Sequence, residues 1–134
     1  MDFRIVLRDE LRRRQQANRH YSLRTFARFL GLDHASLSQM LRARRRLTAR
    51  SIGRLAGRLG CAPGAIGEYV AAANDAAILN FLSDRSFRPE SRWLAIRLGL
   101  KLDEVNASLQ RLLRARRLEM RSPTRWARVM PKDA

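Results

Sequence analysis

The chain is poor in acid. Its 134 residues carry 12 Asp and Glu against 28 Lys and Arg, a formal net charge of +16. A compact state with that excess repels itself, and an anionic partner relieves the repulsion. The cations are almost all Arg, whose planar fork suits phosphate and guanine, so nucleic acid is the partner class the charge favours. A single cysteine, Cys61, excludes an internal disulfide and a cysteine-cluster metal site. Next to the helix stop at Gly60 it reads as a small buried residue rather than a reactive thiol. No apolar run approaches the roughly 20 residues that span a bilayer. The opening residues, MDFRIVLRDELRRR, lack a signal-peptide core and cleavage site. These absences predict a cytoplasmic protein with no membrane partner, and the positive charge adds the expectation that it is nucleoid-associated.

Catalytic constellations are missing as well. His20 and His34 are too few and too scattered to build a metal site with acids at ligand spacing. GRLGCAPGAIG has neither the spacing nor the Lys of a phosphate-binding loop. Ser36 and Ser38 lie near His34 without an orienting acid, and Asp103-Glu104 reads as a helix start rather than an acid/base couple. The expectation is no enzyme activity, no metal and no cofactor.

What the chain does have is helical periodicity, with a hydrophobic share of 46% that is ordinary for a globular protein. Phe3, Val6, Leu7, Glu10 and Leu11 follow a helical period to a stop near Asn18, with Arg12, Arg13 and Arg14 around its end. Leu23, Phe26, Ala27 and Leu30 mark a short second helix that Gly31 breaks. Leu32 re-enters the core, and Asp33 caps a third helix burying Leu37, Met40 and Leu41. Two short helices joined by a three- to four-residue turn containing Gly form a DNA-reading device. Between Glu10 and Glu68 the only acid is Asp33, so this device sits in a strongly positive field. Thr48 opens a fourth helix with Ile52, Leu55, Ala56 and Leu59 buried before Gly60. Pro63 opens a fifth, with Ile66, Tyr69, Val70 and Ala73.

The run from Ala71 to Leu82 stays in helical register without a Gly/Ser/Pro linker and reads as a rigid connection. Pro89 starts a helix carrying Trp93, Leu94, Ile96 and Leu98, which Gly99 stops. Asp103 and Glu104 then open a helix with Val105, Leu109, Leu112 and Leu113 buried. LEMRS, the turn signal Pro123-Thr124 and RWARVM read as two short strands around a tight loop. Helix, helix-turn-helix and hairpin is the order of a winged helix. The fold class is therefore mainly α. A five-helix helix-turn-helix unit spans residues 1 to 70, and a small winged unit with a two-stranded wing spans 71 to 134.

With Leu37, Met40 and Leu41 buried, the third helix leaves His34, Ala35, Ser36, Ser38, Gln39 and Arg42 exposed. Gln bonds both adenine edge groups, Arg bonds guanine and Ala meets the thymine methyl, so His34, Ala35, Ser36, Gln39 and Arg42 are the candidate base contacts. Arg44, Arg45 and Arg46 follow where the chain leaves the groove. With Ser22 and Arg24 at the front of the second helix, they are the candidate phosphate contacts. In the winged unit Asn106, Gln110, Arg111 and Arg114 face outward on the next helix, and the hairpin adds Arg121, Arg125 and Arg128. Trp126 reads as a lid on the core.

At Phe26-Ala27, Gly31, Leu32 and Asp33 the chain resembles the phage-repressor-like helix-turn-helix superfamily, the xenobiotic-response-element type, from about Phe3 to Tyr69. The resemblance implies base contacts at His34, Ala35, Ser36 and Gln39, with phosphate contacts near Ser22 and Arg44. One departure stands out: where the family places Gly before the basic exit, this chain has Ala43. SLSQMLRARRRLT is similar to a less characterised bacterial group in which such a unit precedes a winged helix, with RWLAIRLGLKLDEVNASLQRLL as the second match. The members of that group are longer, with more chain between the units. Bacterial winged helices usually place Gly near the position of Arg116, where a side chain resists positive φ.

The resulting expectation is a sequence-specific regulator of transcription bound to double-stranded DNA. Two readings stay beside it: an antitoxin-like module that binds a protein partner and autoregulates, and a structured-RNA binder. A short reading helix contacts few base pairs, so a homodimer is expected, with the Ala-rich run from Ala71 to Leu82 either its surface or the link between units.

Overall fold

The computed structural model describes residues 2–130, so the last positions of the expected second unit, 131–134, lie outside the described residues. Among the described residues there are seven α-helices followed by a two-stranded antiparallel sheet. The chain divides into two compact units, Met1–Ala73 and Asn74–Ala134, a few residues later than expected. The shift has a local cause: Ala73 still packs on the first core, whereas Ala77 and Ile78 belong to the second.

The first unit contains α1 (Phe3–Ala17), α2 (Leu23–Leu30), α3 (His34–Leu41), α4 (Ala49–Arg58) and the start of α5 (Pro63–Phe81). Each of the first four helices begins on a short polar side chain that accepts a backbone N–H of the first turn. These are Asp2 from Arg4, Ser22 from Thr25, Asp33 from Ser36 and Thr48 from Ser51. Each such cap contributes about 1 kcal/mol. The helices close on Phe3, Leu7, Phe26, Ala27, Leu30, Leu37, Met40, Leu47, Ile52, Leu55 and Ala56, all buried. Ile66, Tyr69, Val70 and Ala73 of α5 pack against this core. Leu41 and Leu59, expected inside, are half-buried because each stands at the end of its helix.

The second unit contains the remainder of α5, then α6 (Ser91–Leu98), α7 (Leu102–Arg114), β1 (Leu118–Ser122) and β2 (Arg125–Arg128). Helix α6 begins later than Pro89 because Glu90 keeps extended backbone (φ −139°, ψ 129°) and stands as the cap. Its buried residues are Leu94 and Leu98, one turn apart. Ile96, expected beside them, is 81% exposed. Two positions from each, it falls on the opposite side of the helix. The strands pair Leu118 with Arg128 and Met120 with Trp126, and the register slips between Met120 and Ser122 next to the turn. Trp126 packs on the core and meets Phe87 at 5.9 Å, and Trp93 lies edge-on to Phe81 and Phe87.

Among the described residues, two non-glycine residues adopt a left-handed backbone. Ala43 (φ 58°) and Arg116 (φ 56°) both occupy the left-handed region, which costs a side-chain-bearing residue roughly 1–2 kcal/mol. Arg116 was expected to resist positive φ, and it adopts it. At each site two bonds close the helix end: Ala43 N to Met40 O and Arg44 N to Gln39 O, then Arg116 N to Leu113 O and Arg117 N to Leu112 O. Capturing those orphan carbonyls offsets the strain.

Candidate nucleic-acid interface

On α3 the buried Leu37 and Met40 turn the helix so that Ala35, Gln39 and Arg42, spaced four and three apart, form its outer stripe. All three are exposed, as is His34. Ser36 and Ser38, expected on the outer face, are half-buried at its margins.

Ser36 is further engaged. Its N–H donates to Asp33 Oδ2 at 3.3 Å, and its Oγ accepts Nη1 of Arg45 at 2.8 Å. The Ser36 hydroxyl, then its N–H, holds the Asp33 carboxyl below the usual carboxylate range, and Arg45 adds to the effect. Arg45 therefore lies back along α3, while Arg44 and Arg46 are exposed at the exit. At the front of α2, Ser22 Oγ accepts the Thr25 N–H at 3.1 Å and contacts the Thr25 hydroxyl at 3.0 Å, with Arg24 exposed beside it.

Two residues escaped the sequence reading. Arg4 Nε donates to Met40 O at 2.9 Å and its Nη2 to Arg45 O at 3.3 Å, while Arg8 Nη2 donates to Leu41 O. They add a second donor to Met40 O, hold Leu41 O and the Arg45 carbonyl just beyond the helix, and place positive charge at the negative pole of α3. Their spacing of four, one position after Phe3 and Leu7, was the available signal: it sets both on the helix face bordering the core.

Arg14 is likewise committed, to Glu10 at 2.9 Å and to the Tyr21 hydroxyl at 3.0 Å, with its guanidinium 4.0 Å from the centre of the Phe29 ring. Hydrogen bonds from Arg13 and then Arg14 hold the Glu10 carboxyl below its usual range. Glu10, placed by periodicity in the apolar stripe of α1, serves there as the partner of two arginines.

In the second unit Asn106, Gln110 and Arg114 are exposed on α7. Asp103, three residues before Asn106 and seven before Gln110, shares their face and is also exposed. Arg111 is not free. Its Nη2 lies 2.9 Å from Asp75 Oδ1 and its Nε 3.2 Å from both carboxylate oxygens, and the buried Ser108 hydroxyl also donates to Asp75. On the hairpin Arg121, Arg125 and Arg128 are exposed, with Arg121 lying 3.5 Å from Glu119. In the Ala-rich run, Ala73 and Ala77 are taken up by the two cores, and Ala76 is exposed.

Among the described residues no group of three or more His, Cys, Asp or Glu side chains is placed to hold a metal ion, and no helix is long and apolar enough to cross a membrane. Comparison with known protein families, curated proteins and solved structures finds no match to this chain.

Proposed function

We propose that the chain is a sequence-reading regulator that binds double-stranded DNA through its first unit. In this reading α2 and α3 are a helix-turn-helix of the phage-repressor-like kind, and the second unit is a winged helix. The observation that carries it is the outer stripe of α3. Ala35, Gln39 and Arg42 are exposed side by side, Arg44 and Arg46 follow, and Asp33, the only acid in sequence between Glu10 and Glu68, is used as a helix cap. A helix so bordered meets base edges with its stripe and phosphates with the arginines that follow. Arg4 and Arg8 support the same reading, since a helix held at its end keeps its aim. Pairing on two half-sites about 34–36 Å apart would extend the few base pairs that one such helix covers.

Selection of bound fragments from random duplex DNA tests the proposal. A recovered consensus supports it. Equal recovery of all duplexes, or salt-sensitive binding to structured RNA without preference for any duplex, refutes it.

For the second unit a specific observation favours another role. Arg111 is spent on Asp75, Asp103 stands on the face that would enter a groove, and Ile96 is 81% exposed. A carboxylate is repelled by phosphate, and an exposed isoleucine suits a protein partner. In this reading the second unit docks a protein, as an antitoxin-like regulator would, while the first reads DNA. A footprint unchanged by Gln110→Ala supports that division of labour.

A further inference from the structure

Arg45 follows α3 by several residues, and from the sequence it belongs with the arginines that leave the groove. Its side chain goes elsewhere. The left-handed backbone at Ala43 reverses the chain, and the bond from Arg44 N to Gln39 O at 2.9 Å closes the reversal. Arg4 holds the Arg45 carbonyl at 3.3 Å. From that anchored backbone the guanidinium reaches the first turn of α3, where Ser36 Oγ accepts Nη1 at 2.8 Å. The same turn carries His34 and Ala35, and the first residues of a reading helix are the ones that meet base edges.

We infer that Arg45 is a specificity-determining residue that reads guanine in the major groove, with Ser36 as the residue that positions it. This rests on the DNA-reading function proposed above. The chemistry of the group allows it. A guanidinium has five N–H donors in a fixed fork. Ser36 takes one, and two parallel donors remain for the O6 and N7 acceptors of guanine. Ser36, half-buried and bonded to both Asp33 and Arg45, is a holder of the reader rather than a reader. The base-reading set then becomes His34, Ala35, Gln39, Arg42 and Arg45, with Arg44 and Arg46 on phosphates.

The test starts from the duplex that the 134-residue chain selects and compares variants on that duplex, on single-base changes of it, and across salt concentrations. Arg45→Lys keeps the charge and removes the fork. It is expected to lose about 10-fold of its preference for guanine at one position, since a bidentate pair is worth that order of discrimination. Its salt slope should stay unchanged. Ser36→Ala should weaken the preference at the same position by a smaller factor. Arg44→Ala should instead lower affinity for every duplex and reduce the salt slope by about one. A full guanine preference in Arg45→Lys, or an Arg45→Ala variant weakened equally on all sequences with a slope lowered by about one, overturns this assignment alone. A wild-type chain that selects no duplex overturns the DNA-reading function and this assignment with it.

Discussion

Each of the two units has an eight-residue helix that ends on a left-handed glycine and hands over to a second helix, and the two pairs differ in what they expose. In the first, Gly31 (φ 76°) ends α2 and the Leu32 N–H bonds Ala27 O at 2.8 Å. In the second, Gly99 (φ 65°) ends α6 and the Leu100 N–H bonds Ala95 O at 3.0 Å. Both second helices end on a side-chain-bearing residue in the left-handed region, Ala43 and Arg116. The surfaces diverge from there. Helix α3 has no acid in its first turn, and its last carbonyls are held by Arg4 and Arg8. Helix α7 opens on Asp103 and Glu104, with the Lys101 N–H bonded to Glu104 Oε1, and its Arg111 is tied to Asp75. A turn of this kind needs little more than a glycine, a leucine behind it and a cap. The charge on the outer face is a separate choice, and it separates the two units.

The comparison is sharpest in the glutamines, one on each outer face. Gln39→Ala should reduce discrimination between a selected duplex and its single-base variants by about 1–3 kcal/mol, the worth of one base contact. Gln110→Ala should leave that discrimination intact. Equal effects in competition binding would make both units readers and abolish the contrast.

The internal fastening of the second unit comes next in size. Asp75→Ala leaves the buried Ser108 hydroxyl and the Arg111 guanidinium without their acceptor. Arg111 keeps 40% of its side chain in solvent, which moderates the loss, and about 2 kcal/mol is expected in urea unfolding. Duplex affinity through the first unit should persist in native buffer. A fall in that affinity matching the loss of stability would show that the second unit takes part in binding.

A smaller effect tests what the two units share. Ala43→Gly and Arg116→Gly should each stabilise by about 0.5–1 kcal/mol, because relief of the left-handed strain exceeds the extra chain entropy of glycine. Gly31→Ala and Gly99→Ala should destabilise for the converse reason. A destabilised Ala43→Gly variant in thermal melts would mean that the alanine methyl contributes more than its backbone costs.

The smallest effect belongs to the first unit alone. Glu10 has a folded-state pKa below its ordinary 4.5, so its contribution is complete above that pH and disappears as the pH falls through the folded value. Glu10→Gln should therefore cost stability near neutral pH, about 0.5 kcal/mol for a half-buried carboxylate on a surface helix with one of its two arginines open to solvent, and little in acid. A wild-type and variant difference that stays constant from neutral to acid pH would remove the ion pair as its cause.

The helix pairs were legible because their signals are local. Ser22, Asp33 and Thr48 are caps, Gly31, Gly60 and Gly99 are stops, and the leucines between them keep a helical period. The hairpin was legible from Pro123-Thr124 between two short runs of strand character. Ile96 was misplaced because a residue among leucines on a short helix reads as apolar whichever side it faces. Arg111 was counted among the outward residues because its partner, Asp75, stands 36 positions earlier, and periodicity has no view across that separation. Arg4 and Arg8 were passed over for the same reason, since the carbonyls they hold lie on another helix.

By itself the sequence determined the mainly helical class, most of the positions where helices start and stop, the concentration of positive charge, and most of the residues that turn inward. These follow from caps, glycines and periodicity, which act over a few residues. Only the tertiary structure decided how individual arginines are used. Arg4 and Arg8 close the end of α3, Arg14 lies over Phe29, Arg45 folds back to Ser36 and Arg111 holds Asp75. The physical reason is the same in each case. An Arg side chain has one composition and many possible acceptors, and only the packing of distant segments fixes which acceptor comes within reach.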